Sequence, residues 1–346
     1  MSRKDVEMDK RPYRGDRGPG APKPYEFVSF PSQVVRQEVP GHHVLKPELH
    51  TGTLTFHLRT VTPLFVSSGQ AALSEDLGLR SGGVVQAHYR IGDQLAIPAS
   101  SLKGAVRSVA EAVSASCLGV TQASRRDLPD AFERPCTRRA ACPACTLFGM
   151  GGKEAYMGQV RFEDALLQEG QTMIYRLPAL YRPRLGAPVY RDRSGRYKGR
   201  KFYTHGRPHP ADEGGESEVI RPDSLLVGQV AFTNLTEDQL GLLLYALGWE
   251  KRFLLKLGGG KPACLGSLLT EPVRLVLRDG REAFLGGECA APAEMVWEGD
   301  TLKDRVQGYI AGARQRGTIL ARQAGELERV LHFDPSALEE CPTGAY

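Results

Sequence analysis

Four of the chain's seven cysteines, Cys117, Cys136, Cys142 and Cys145, fall in one stretch with the spacing C-x18-C-x5-C-x2-C. Thiolates are the natural soft ligands of zinc, and the turn Cys142-Pro143-Ala144-Cys145 brings two sulfurs within reach of one ion. Two further cysteines complete a tetrahedral set. Four thiolates leave no open coordination position, so the Zn2+ implied here is structural rather than catalytic. The alternative packs Cys117 in a helix end and leaves the other three incidental. Cys264, Cys289 and Cys341 are scattered and read as small apolar residues. The odd count and the charged N-terminus MSRKDVEMDK, which has no apolar stretch, argue against a secreted disulfide framework. They point to a reducing, cytoplasmic compartment.

Charge is the second constraint. The formal net charge of +5 over 346 residues names no partner. Between Tyr181 and Arg207, however, nine Lys/Arg face a single acid, Asp192, so this segment holds the whole positive excess. Arg182, Arg184, Arg191, Arg193, Arg196, Lys198, Arg200 and Lys201 interleave there with Tyr181, Tyr190, Tyr197, Phe202 and Tyr203, and His205 follows. A solvated face needs the cations but not the rings. A single-stranded nucleic-acid surface uses both, with cations on phosphates and rings on bases. The alternative is a solvent loop whose aromatics pack on their own domain.

The length fits one large domain or two small ones at roughly 100–200 residues each. No apolar run approaches the ~18 residues that a bilayer span requires, so no membrane partner is expected. Residues 1–24, rich in Gly, Pro and charge, read as a mobile arm. Leu54, Phe56 and Leu58 alternate as one face of a half-buried strand over 51–61. Residues 69–92 read as a long loop or flexible hairpin. Ser100-Ser101 offers an N-cap to a helix over 102–115, with Leu102, Val106, Val109 and Val113 inward. A strand is expected near 159–162 and another over 225–235. Thr236 and Gln239 then form a capping box for a helix to Leu247. Asp279-Gly280 marks a hairpin, and 301–330 is helix-permissive. The basic segment 181–215 reads as an insertion outside the core. The whole suggests an α+β, ferredoxin-like sheet domain with elaborations.

Gly258, Gly259, Gly260 and Lys261 resemble a phosphate cradle, although a tight turn explains them equally well; the spacing excludes a P-loop. Glu75 and Asp76 lie in a Gly/Ser-rich loop, where they can serve a metal or simply a solvated turn. His57 and His205 have no sequence-visible partner for a histidine-based ribonuclease mechanism.

Several of these segments together resemble the RAMP superfamily, whose members form the backbone of type III CRISPR effector complexes. The resemblance is carried by TPLFVSSG (62–69), IPASSLKGAVR (97–107), CPACTLFG (142–149), GQVRFEDA (158–165) and LGGGKPACLGS (257–267). PYEFVSFP (24–31) and GRKFYTHG (199–206) are similar to a branch associated with type III-D and III-E systems. The chain departs from the family pattern at Phe65 in place of His, at Ala99 in place of Gly, and at Leu77-Gly78 after the acidic position.

The resemblance implies an RRM-like RAMP core over 25–290 with a zinc region at 117–150, a basic thumb-like insertion at 181–215 and a helical extension over 291–346. It implies CRISPR RNA as partner, with Ser100, Ser101, Lys103, Arg107 and Gly258–Lys261 on its phosphates. Complementary target RNA, further copies of the chain and other effector subunits follow as partners. It implies, in catalytic backbone subunits, an aspartate after the first strand for Mg2+- or Mn2+-dependent target cleavage, and Asp76 falls one residue beyond its expected position. A non-cleaving scaffold that recruits a separate nuclease, or a metal-independent RNA-processing endoribonuclease using His57 or His205, are the other expectations. A zinc-stapled interaction protein that binds no nucleic acid is a further alternative.

Overall fold

The computed structural model describes residues 23–80, 82–119, 121, 123–132, 134–180, 186–278 and 294–342. The expected arm at 1–24 falls outside them except for its last two residues, as do Asp279-Gly280, Cys289, Tyr181, Arg182 and Arg184.

Alternating burial builds the central sheet. In β2 (His50–Thr60) Leu54, Phe56 and Leu58 are fully buried, and β12 (Leu225–Leu235) alternates likewise through Leu226, Val230 and Phe232. These strands pair antiparallel from Leu225↔Arg59 to Leu235↔His50. On the other side of β2 lies β14 (Ser267–Arg278), which also pairs with β13 (Leu255–Lys256) and β15 (Glu294–Glu298). Beyond β12 come β7 (Val160–Phe162), β8 (Ala165–Glu169), β6 (Gln94–Ile97) and β5 (Arg90–Ile91). Every pairing in this sheet is antiparallel, and its main order is β13-β14-β2-β12-β8-β6-β5. The strands flanking the expected hairpin at Asp279-Gly280 do pair.

A second sheet runs β3-β4-β11-β9, from β3 (Ser67–Leu73), β4 (Val84–His88), β9 (Thr172–Leu177) and β11 (Gly215–Ile220). The Gly/Ser-rich stretch is therefore an antiparallel hairpin of β3 and β4. A third, two-stranded sheet joins β1 (Tyr25–Ser29) to β10 (Gly199–Tyr203), with Phe27↔Lys201 in register. The basic segment is thus built into the fold rather than being a loop outside it: β10 is paired and Tyr190 is buried.

Helices α1 (Ala99–Val113) and α3 (Glu237–Ala246) cover the central sheet with their apolar faces. The capping box of α3 forms as expected, with Thr236 Oγ1 accepting from Gln239 N and Gln239 Oε1 accepting from Thr236 N. At α1 the expected cap does not form. Pro98 is the N-cap residue, without a side-chain bond, and Ser100 and Ser101 lie in the first turn. Short α2 (Pro143–Phe148) carries the CxxC turn. The C-terminal stretch forms two helices, α4 (Gly299–Gln315) and α5 (Ala321–Val330), and both feed the same apolar cluster as the sheet. Gly241 lets α3 approach α4 closely, since a Cβ there would collide with the Tyr309 carbonyl.

Cys264 and Cys341 are joined by a disulfide across 77 residues, which corrects their reading as plain apolar residues. The bond ties the C-terminal tail beside the glycine-rich loop. Among the described residues no helix is long and apolar enough to cross a membrane.

Candidate nucleic-acid interface

A groove of about 770 Å³ gathers segments far apart in sequence. One wall is α1, through Ser101, Gly104, Ala105 and Ser108; the other is β10, through Gly199 to Tyr203. Gly258, Gly259 and Lys261 close one end, and Phe27 and Phe30 of the β1 segment add rings.

The glycine-rich loop owes its composition to close packing. Gly258 has φ 92°, and a Cβ there would strike the Phe65 carbonyl, to which Gly259 N–H donates at 2.7 Å. Gly266, at φ 76°, lies against the Leu257 carbonyl. The tight-turn explanation therefore accounts for the glycines, while the loop still presents Lys261 to the groove. Lys261 Nζ donates to Gly258 O at 2.7 Å, and burial lowers its pKa. Lys256, missed in the sequence reading, also lines the groove, and its amine donates to Cys264 O and Ser267 Oγ, both at 3.0 Å. Burial, assisted by Lys261, pulls its pKa down to about 7. Its signal was available in the alternation Leu255-Lys256-Leu257, with both leucines buried.

Several cations of the basic segment are paired with acids of the fold. Arg191 bonds Asp127 at 3.1 Å, Arg196 bonds Asp130 at 2.7 Å, and Arg200 pairs with buried Glu111. The aromatics hold cations as well. Lys201 Nζ sits 4.4 Å from the Tyr25 ring centroid, 4.7 Å from Tyr203 and 5.5 Å from Tyr190; Lys198 lies over Phe27 and Arg191 over Tyr197. Such contacts stabilise by about 0.5–2 kcal/mol each. Tyr190 and Tyr197 thus pack on cations of their own segment, although both also border the groove. Phe202, Tyr203 and Lys201 still line the groove, and Arg193 and Lys198 are exposed.

Two expected phosphate ligands turn inward. Arg107 donates to Glu111, to Gly149 O and toward Cys145 Sγ, and burial together with Arg107 lowers the Arg200 pKa to about 9. His205 is also withdrawn: Nδ1 lies 2.8 Å from Ser267 Oγ, its ring packs edge-on against Phe333, and burial drops its pKa to about 3. Lys103 is partly exposed, burial lowering its pKa, and Ser100 is exposed on the first turn of α1. That helix start is not an open anion site, because Ala99 N–H already donates to Asp164 Oδ1 at 2.7 Å. The sequence contained Asp164 within GQVRFEDA, but only the fold reveals its partner.

Asp76 is exposed in the turn of the β3–β4 hairpin, its N–H donating to Leu73 O. Among the described residues only the cysteine quartet brings together three or more metal-ligating groups, so nothing here supports a Mg2+ or Mn2+ site.

The quartet itself fits a metal such as zinc. Its four sulfurs lie within 4.8 Å of one another, with Cys117 Sγ at 3.5, 3.6 and 3.8 Å from those of Cys145, Cys142 and Cys136. Sulfurs about 2.3 Å from a zinc ion would be about 3.8 Å apart at the corners of a tetrahedron. Cys142 Sγ accepts N–H bonds from Cys117 and Cys145, and Cys136 Sγ accepts one from Cys142, a pattern that favours thiolates. Bonding to the Cys117 thiol holds the Cys136 and Cys142 thiols below their usual pKa.

A family model described as the RAMP superfamily matches residues 57–268, a span that includes α1, the quartet, β10 and the glycine-rich loop. No curated protein matches the chain.

Proposed function

Because the chain belongs to the RAMP superfamily, we propose that it is a CRISPR RNA-binding backbone subunit, stacking along the guide in a type III-like RNA-targeting effector. The observation that carries this reading is the convergence of Ser101, Lys201, Gly258 and Lys261 on one groove of about 770 Å³. Its mixed ring-and-cation lining suits a single strand. Complementary RNA, further copies and other effector subunits are its partners in this reading, and GRKFYTHG places it near the III-D and III-E branch.

The neighbouring strand order β14-β2-β12-β8, interleaved with α1 and α3, supports an RRM-like, ferredoxin-type core. This core runs over 25–290 with the zinc region at 117–150 and the basic segment at 181–215. The extension at 291–346 contributes α4 and α5, and the cysteine quartet holds structural Zn2+.

A non-cleaving scaffold is the form we favour. Among the described residues no metal-ligating cluster includes Asp76, and His205 is withdrawn behind Ser267. His57 lies mid-strand opposite Val227 and Glu271.

The test is the assembled complex with a guide-complementary RNA, in magnesium or manganese, using wild-type and Asp76→Ala chains. The expected result is RNA binding without cleavage in both. Cleavage lost only in Asp76→Ala would restore the nuclease form, while absence of RNA from the purified complex would remove the RNA reading altogether.

A further inference from the structure

Between the cysteine quartet and the groove runs a continuous series of charged contacts that neither site requires by itself. Arg107 directs Nη2 toward Cys145 Sγ at 3.7 Å, Nη1 to the Gly149 carbonyl at 2.7 Å and Nε to Glu111 Oε1 at 2.7 Å. The same Glu111 oxygen accepts Gly119 N–H at 3.1 Å, two residues beyond Cys117. Its other oxygen accepts from Arg200, whose strand β10 forms the groove wall and continues directly into Lys201. Glu111 is 5 % exposed, so little water is at hand to screen these charges.

The charge balance gives the series a direction. Two guanidiniums against one carboxylate leave one positive charge in excess in a buried place. Four thiolates around a divalent cation leave two negative charges, and Arg107 stands beside one of those sulfurs. A loaded quartet therefore supplies the counter-charge that the arginine pair lacks. It fixes Arg107, and Arg107 in turn holds Glu111 at the angle that receives Arg200. Without the metal nothing fixes the Cys145 sulfur against Arg107, and the contacts that run from it through Glu111 to β10 loosen.

We propose that Arg107, Glu111 and Arg200 are positioning residues that couple metal loading of the cysteine quartet to single-stranded RNA binding in the groove. The coupling is reciprocal: if metal tightens RNA binding, RNA tightens metal binding by the same factor. This proposal rests on the RNA-binding reading of the groove.

The experiment uses the full chain and two readouts. Fluorescence anisotropy gives the affinity for a labelled single-stranded RNA in zinc-loaded, zinc-stripped and zinc-restored protein. Equilibrium competition with a chromophoric chelator gives the zinc affinity with and without saturating RNA. The expected result is about a tenfold loss of RNA affinity on stripping, recovered on restoration, and a matching gain in zinc affinity when RNA is bound. In Glu111→Gln, zinc content stays at the wild-type level while both effects fall below about twofold. Arg200→Lys, which keeps the charge and shortens the reach, gives the same outcome and serves where Glu111→Gln does not fold. Wild-type coupling retained in either folded variant would overturn the proposal, as would equal RNA affinity with and without zinc. Absence of RNA binding in every state would instead overturn the reading of the groove.

Discussion

His88 and His205 are each held neutral by the fold, for the same reason: burial, which outweighs every favourable contact. The His88 pKa falls to about 4 and that of His205 to about 3. An unfolded histidine gains its proton near pH 6.5. Because both folded values are depressed, the stabilisation is complete above pH 6.5 and is lost as pH falls toward 4 and 3. At pH 5 each costs about 2 kcal/mol relative to pH 7.5. Urea unfolding across that interval should show the loss, and His88→Gln with His205→Gln should flatten it; an unchanged slope would remove these two residues as its source. Neither burial was visible beforehand. His205 stands in a basic stretch that looks solvent-facing, and its withdrawal depends on Ser267 and Phe333, residues remote in sequence.

Elements whose signal is local were legible. The alternation of Leu54, Phe56 and Leu58 and the Thr236–Gln239 capping box need only a few neighbouring residues, and β2, β12 and α3 follow them closely. Elements defined by distant pairing were not. No short-range pattern announces that β10 joins β1 across about half the chain, or that Arg191, Arg196 and Arg200 meet Asp127, Asp130 and Glu111. The cysteine spacing lies between these cases: the ligand set could be read, its link to Arg107 could not. Metal removal tests the element it staples. In chelated protein, amide exchange should quicken over 117–150 while β2, β12 and β14 keep their protection. Equal exchange with and without chelator would mean that no metal stabilises the region.

At the scale of the whole molecule, the positive excess is smaller in effect than in count. Cations already engaged with Asp127, Asp130 and Glu111 release few counterions when a nucleic acid arrives. Across a potassium chloride series, Arg193→Ala and Lys198→Ala should each lower the logarithmic salt slope of single-stranded RNA binding by about 0.7. Arg191→Ala should leave it unchanged, since Asp127 takes up that charge. A slope that falls equally for all three would show that the ion pairs open on binding.

The chain also carries two sulfur chemistries that ask for opposite handling. The quartet must stay reduced to hold a metal, whereas the bond between Cys264 and Cys341 exists only oxidised. A thiol reagent added to protect the first severs the second, and leaving it out exposes the first to cross-linking. Preparations made with and without reductant are therefore chemically different samples, one with Cys341 leashed beside the glycine-rich loop and one with it released.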